Sequence, residues 1–341
     1  MKPHEFGRIE RCVLYFTGAA MLLVSPADAA DDIRGSAAKL EAAASVAFTE
    51  GPAYHLDGSV YFSEIVTNQI VRLAPHSQGS GVGIVPETFR QPSGQANGLA
   101  FDQQGRLLAC EGAGKGGNRR VTRTEQDGKI TVLADSYQGK RFNSPNDLDI
   151  DAEGRIYFTD PRYGDRSDME MDKEGVYCIA PDGTLSRVID DLERPNGIAV
   201  SPDQRTLYVV DNNNSRLGGS RKIFAFELRS DGTTGTRRVV YNFGTSRGGD
   251  GMCLDSRGNL YIAAGLNTPA PPAEGGPAKS GIYVVSPAGK QIDFIAVPED
   301  TVTNCTFGDP DLQTLYITAG KTLFRIRLNV RGHLLWPLAK N

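Results

Sequence analysis

Oxygen-bearing side chains recur in this chain at one fixed place in a repeated phrase. Glu50 (EGPAYHLDGSVYFSE), Asn97 (NGLAFDQQGRLLACE), Asn146 (NDLDIDAEGRIYFTD), Asn196 (NGIAVSPDQRTLYVVD), Asp250 (DGMCLDSRGNLYIAA) and Asn304 (NCTFGDPDLQTLYITA) each open a segment made of a short apolar run, a polar turn and an alternating apolar strand. Carboxylate and amide oxygens, without imidazole or thiolate, suit calcium and related hard cations. A single Asn-Gly or Asp-Gly would be read as a turn. These phrases, however, carry separate turns at Asp57-Gly58, Gln104-Gly105, Glu153-Gly154 and Arg257-Gly258, so turn chemistry does not account for the opening residues.

A divalent cation held by such oxygens would polarise a carbonyl, stabilise the oxyanion formed on attack and make a water more nucleophilic. Calcium does the last of these less strongly than zinc, so a carboxylate base is useful. Asp250 and Asp147 are the candidates. The chemistry expected is ester hydrolysis, for which a strained lactone is an apt substrate.

What must position these residues is a repeated architecture. The openers follow one another at intervals of 47 to 54 residues, a period typical of radially repeated folds. Strands such as Ser59–Ser63, Arg155–Thr159 and Thr206–Val210 close a hairpin in each phrase, and a weaker pair behind it, for example Gln69–Leu73 and Gly83–Phe89, brings the unit to four strands. The spacing thus predicts an all-β, six-bladed β-propeller with four antiparallel strands per blade. The last phrase supplies only three clear strands, so Ser45–Phe48 is expected to close the ring from the N-terminal side. With the first strand of every blade lining the channel, Glu50, Asn97, Asn146, Asn196, Asp250 and Asn304 form a ring at its mouth.

Outside the propeller, expected over residues 45–330, the chain reads differently. Lys2, Arg8 and Arg11, an apolar stretch from Val13 to Val24 and the small-x-small site Ala27-Asp28-Ala29 read as a signal peptide over 1–29. The apolar stretch is about half of the ~20 residues that span a bilayer, so no stable membrane anchor is expected and the location is periplasmic or secreted. Residues 30–44 are expected as a linker and 331–341 as a C-terminal tail. Cys110, Cys178, Cys253 and Cys305 stand singly in or beside strands, as buried free thiols do. A formal net charge of −4 without a basic cluster speaks against nucleic acid as a partner.

The elements FTEGP (Phe48–Pro52), SPND (Ser144–Asp147), GRIYFTDPRYG (Gly154–Gly164), RPNGIAVSPD (Arg194–Asp203), LYVVDN (Leu207–Asn212) and GGDGMCLD (Gly248–Asp255) resemble the gluconolactonase, regucalcin and senescence marker protein family. The resemblance covers roughly residues 45 to 328. It implies a hydrolase with one divalent cation, calcium first and zinc or manganese otherwise, held by Glu50, Asn196 and Asp250. Asn146 is implied as a fourth ligand or a substrate contact, and Asp147 as an acidic neighbour. Some sugar-lactonase members carry an Arg where this chain has Ser144; Arg141 is the nearby substitute.

The loops after the second strands should overhang the site. From them Asp160, Arg162, Tyr163 and Asn212 join Asn97, Asn146 and Arg141 as candidate substrate contacts, and the proline-rich Gly265–Gly281 insertion forms a rim. A small-molecule sugar lactone is the expected substrate. Another ester or a phosphotriester, or a non-catalytic binding module with a structural metal, are the other readings. Two motifs carry no function: Gly244–Gly248 (GTSRG) lacks the strand-to-helix turn of a nucleophile elbow, and no helix follows Gly112–Gly117 to receive a pyrophosphate.

Overall fold

The computed structural model describes residues 33–75 and 86–336. The signal peptide expected over residues 1–29 lies outside them. Among the described residues, no helix is long and apolar enough to cross a membrane.

Six four-stranded antiparallel sheets form the blades of a propeller, and a small hairpin joins Ser136–Tyr137 to Lys140–Arg141. The innermost strands are Thr49–Tyr54, Ala96–Phe101, Leu148–Ile150, Pro195–Val200, Gly249–Leu254 and Val302–Gly308, in blades one to six. Each packs against the next, and the last packs against the first, so the inner strands line a closed channel.

The core is correspondingly divided. Six apolar clusters lie one at each junction between neighbouring blades. At the junction of blades five and six, Tyr261 meets Phe307 edge to face with ring centroids 5.0 Å apart. A strand alternating its side chains between two faces places one set toward each neighbouring blade. Full burial of each large apolar side chain contributes about 1.5–3 kcal/mol. No single junction therefore dominates stability.

The ring closes from the N-terminal side as expected, but through Glu41–Ser45, which pairs with Thr322–Arg327, rather than through Ser45–Phe48. Residues 46–48 form the crossing to the channel, where Val46 N donates to Lys321 O at 2.7 Å and Thr49 N to Gly320 O at 2.8 Å. The alanine-rich EAAAS has poor intrinsic strand propensity, and tertiary pairing overrides it. The expected linker and tail also belong to the fold. Ile33 is 1% exposed inside the last core cluster, and Trp336 Nε1 donates to Asp151 O at 3.0 Å beneath the channel.

Candidate functional site

β-Bulges aim the opening residues. The ladder between the first and second strands slips at Glu50/Ala53, Ala96/Leu99, Pro195/Ile198 and Gly249/Met252. A bulge frees a residue from the ladder and redirects its side chain. In blade three the regular strand starts only at Leu148, and the segment before it is tied down by Asn146 N to Thr159 O at 2.9 Å and Thr159 N to Asp147 O at 3.0 Å.

A glycine after the opener lets adjacent strands meet at the mouth. Gly51 has a φ of +45°, and a Cβ there would collide with the backbone of Asn97. A Cβ on Gly251 would collide with the Asn304 side chain.

The sixth phrase is out of register by one residue. Met252 stands opposite Ile262 and Cys305 opposite Ile317, each isoleucine following a Leu-Tyr pair. Asn304 is therefore level with Gly251 and Asp147, and Thr303 holds the opener's place, with its hydroxyl donating to Thr49 O at 3.0 Å. From that position Asn304 Nδ2 donates to Asp147 Oδ2 at 3.2 Å, spanning from blade six to blade three, which face each other across the ring.

Asp250 lies close enough to Glu50 and to Asp147 to raise the pKa of both. Glu50 is 7% exposed, and its carboxyl is pushed well above the ordinary range, first by burial and then by Asp250, with Asp147 adding. Burial likewise raises Asp250, against the opposing pull of Arg247 and a hydrogen bond from Asn196. Asp147 is pushed up to about 7, chiefly by burial, although Leu148 N and the Asn304 amide oppose the shift. Arg247, whose Nη2 lies 2.7 Å from Asp250 Oδ2, is the cation paired with this carboxylate. It stands three residues before Asp250, inside the GTSRG segment, and sequence reasoning did not connect the two.

Asn196 Nδ2 donates to the Tyr163 hydroxyl at 2.9 Å, and that hydroxyl lies 3.3 Å from Asn212 O. The Arg194 guanidinium stacks over the Tyr163 ring at 4.9 Å from its centroid. Tyr163 therefore orients Asn196. Asn212 keeps a buried Oδ1 without a hydrogen-bond partner, as does Glu274 at Oε1 in the 265–281 insertion. That insertion is anchored beside the site by Gly276 N to Thr245 O and Ala278 N to Ser246 Oγ, both at 3.1 Å.

Other expected contacts face elsewhere. Asp160 is fully buried and accepts from Asn143 N at 2.8 Å and Ser144 N at 2.7 Å. Arg162 is 4% exposed and donates to Asn143 O at 2.8 Å. Both support the loop that presents Asn146 from behind, because a buried charge must be satisfied by the nearest backbone groups. Arg141 is exposed at the rim and paired with Glu170 at 2.7 Å. Ser144 Oγ accepts from Ala113 N at 3.0 Å, so the glycine-rich loop packs beside the Asn146 segment. Asn97 lies between these elements, and its backbone oxygen accepts from Ser63 Oγ at 2.7 Å.

Among the described residues, no three His, Cys, Asp or Glu side chains are gathered as they would be round a metal ion. The set that fits a hard cation is mixed, with carboxylates from Glu50 and Asp250 and amides from Asn146 and Asn196. Two buried carboxylates raised by burial, with a single guanidinium beside them, are the electrostatic situation that a bound cation relieves.

Comparison with known proteins places this geometry in context. Residues 48–321 match a family model described as the SMP-30/Gluconolactonase/LRE-like region. A gluconolactonase of Zymomonas mobilis subsp. mobilis is 32% identical over 313 residues, spanning 85% of this chain and 81% of that protein. The solved gluconolactonase of Xanthomonas campestris superposes with a TM-score of 0.72 at 32% identity, covering 86% of this chain and 91% of the other. A regucalcin structure from Agrobacterium tumefaciens, described as a calcium-binding protein, superposes with a TM-score of 0.67 at 19% identity over 85% of this chain and 93% of that one, a likeness of fold.

Proposed function

Because the chain belongs to the SMP-30/gluconolactonase/LRE-like family, we propose that this gluconolactonase-like ester hydrolase is exported, depends on a divalent cation, and opens sugar lactones at the channel mouth. The observation that carries the reading is the convergence of Glu50, Asp250 and Asn196 on one end of the channel, with the Asn146 segment beside them.

Glu50, Asn146, Asn196 and Asp250 are the residues that would hold the cation, with calcium first by the hardness of their oxygens. When bound, the cation supplies Lewis acidity toward a carbonyl oxygen. The chain's own residues supply the rest. Asp250, steadied by Arg247, takes the proton of the attacking water. Asp147 has hydrogen bonds at both oxygens, from Leu148 N and from Asn304, and this suits it to shaping the floor of the site. Tyr163 fixes the Asn196 amide, and the unpartnered Asn212 Oδ1 is available to accept from a sugar hydroxyl.

A panel of sugar lactones, other esters and phosphotriesters assayed by proton release tests the reading. Lactone opening should disappear after treatment with a chelator and return on adding calcium. Undiminished turnover after exhaustive chelation would refute the metal dependence. A preference for another ester class would move the substrate assignment. Direct titration of Glu50→Gln with calcium should show weakened binding whatever the substrate.

A further inference from the structure

The four cysteines of the described residues are free, but two of them touch. Cys253, on the inner strand of blade five, and Cys305, on the inner strand of blade six, have their sulfurs 3.4 Å apart. Cys110 and Cys178 stand on the second strand of blade two and the third strand of blade three. The two strands that carry the touching pair approach closely because Gly251 leaves room for the Asn304 side chain just above them.

Both cysteines also border a cavity in the channel of about 110 Å³, lined further by Asp149, Thr306 and Trp336. Cys253 is only part-buried, whereas Cys305 is buried. A cavity of that size has room for a molecule as small as water or peroxide.

We propose that Cys253 and Cys305 are an oxidisable pair that hydrogen peroxide closes to a disulfide joining the inner strands of blades five and six. The chemistry balances as a two-electron oxidation. One thiol loses its proton and attacks a peroxide oxygen, the O–O bond breaks, and sulfenic acid and water form. The second sulfur then displaces hydroxide from the sulfenic acid, which leaves as water with that thiol's proton. Two thiols and one peroxide become one disulfide and two waters. The sulfurs must close from 3.4 Å to the ~2.05 Å of a disulfide.

The product would be a structural staple. It encloses the three outer strands of blade five in one covalent loop, a constraint that stabilises chiefly through the unfolded chain. Burial and the neighbouring Cys305 raise the Cys253 thiol above its ordinary value, so closure is slow at neutral pH and quickens as the pH rises, unlike the fast reaction of an exposed redox sensor.

The experiment treats the folded, reduced protein with hydrogen peroxide, blocks the remaining thiols with iodoacetamide under denaturing conditions, and maps peptides without reduction. The expected result is a cross-linked peptide pair containing Cys253 and Cys305, two hydrogens lighter than the separate thiol peptides, absent in Cys253→Ser and cleaved by dithiothreitol. Oxidised protein should melt several degrees above the reduced form and return to it on reduction. Recovery of both cysteines as alkylated thiols, or as separate sulfinic acids, would overturn the proposal. So would an oxidised form that melts below the reduced one, because the cross-link would then not fit the native strands.

Discussion

At the residue scale, the two roles proposed for Asp250, cation ligand and general base, can be separated by substitution. Asp250→Asn keeps the size of the side chain and removes the charge paired with Arg247 at 2.7 Å. Turnover should fall by the ~10²–10⁴-fold typical of losing a general base, and saturating calcium should not restore it. Full rescue by metal would leave Asp250 as a ligand only. Asp149, one layer deeper in the channel, offers a test of electrostatics away from the proposed cation site. Burial pushes its carboxyl from 3.8 up to about 6, although Val200 N and Ile150 N donate to it. A carboxyl raised in the folded state binds its proton more tightly there than in the unfolded chain. Its stabilising contribution is therefore complete below about pH 4 and is lost as the pH rises through 6, by roughly 2–3 kcal/mol. Denaturant unfolding of wild type and Asp149→Asn between pH 4 and 7 should show the difference between them shifting in the variant's favour by that amount. A constant difference would refute the shift.

At the element scale, the hairpin turns at the far end of the inner strands use acidic residues for structure alone. Asp151 is fully buried and accepts from Glu153 N, Arg155 N and Arg155 Nε at 3.0, 2.9 and 2.6 Å. Asp255 repeats the pattern with Arg257 N and Asn259 N, both at 2.9 Å. From sequence such a residue is a turn former, with a single local hydrogen bond as its contribution. The buried pairing with Arg155 makes the loss larger, because a satisfied buried network costs more to break than a local bond. Asp151→Ala should destabilise by about 2–4 kcal/mol by denaturant unfolding and leave the kcat of the folded fraction unchanged. A folded Asp151→Ala protein without lactone hydrolysis would mean that the chemistry sits on the turn face.

For the whole molecule, the channel is closed at the turn end by the chain's own C-terminal segment. Ser256 N donates to Arg331 O and His333 N to Leu254 O, both at 2.8 Å, before Trp336 reaches Asp151. Leu334, Leu335 and Trp336 border the channel cavity. Deleting residues 331–341 should lower Tm by several degrees in a calorimetric scan, since it uncovers apolar channel wall. It should leave KM for a lactone unchanged at a temperature where the shortened chain is folded, because the proposed site lies at the opposite face. A raised KM with unchanged Tm would reverse those roles.

The repeat of openers, turns and alternating strands determined the propeller, its blade number and the face on which Glu50, Asn196 and Asp250 meet, because strand alternation and hairpin direction are local properties that six copies reinforce. Only tertiary structure decided the pairings that depend on one blade seeing another. The Asn304 register across to Asp147, the Glu41–Ser45 closing strand and the contact of Cys253 with Cys305 join residues more than fifty positions apart or override local propensity. The polar loops show the same division. Asp160, Arg162 and Tyr163 read alike in sequence as residues overhanging a site. Burial then turned Asp160 and Arg162 inward to satisfy the loop before Asn146, and set the Tyr163 hydroxyl against the amide of Asn196.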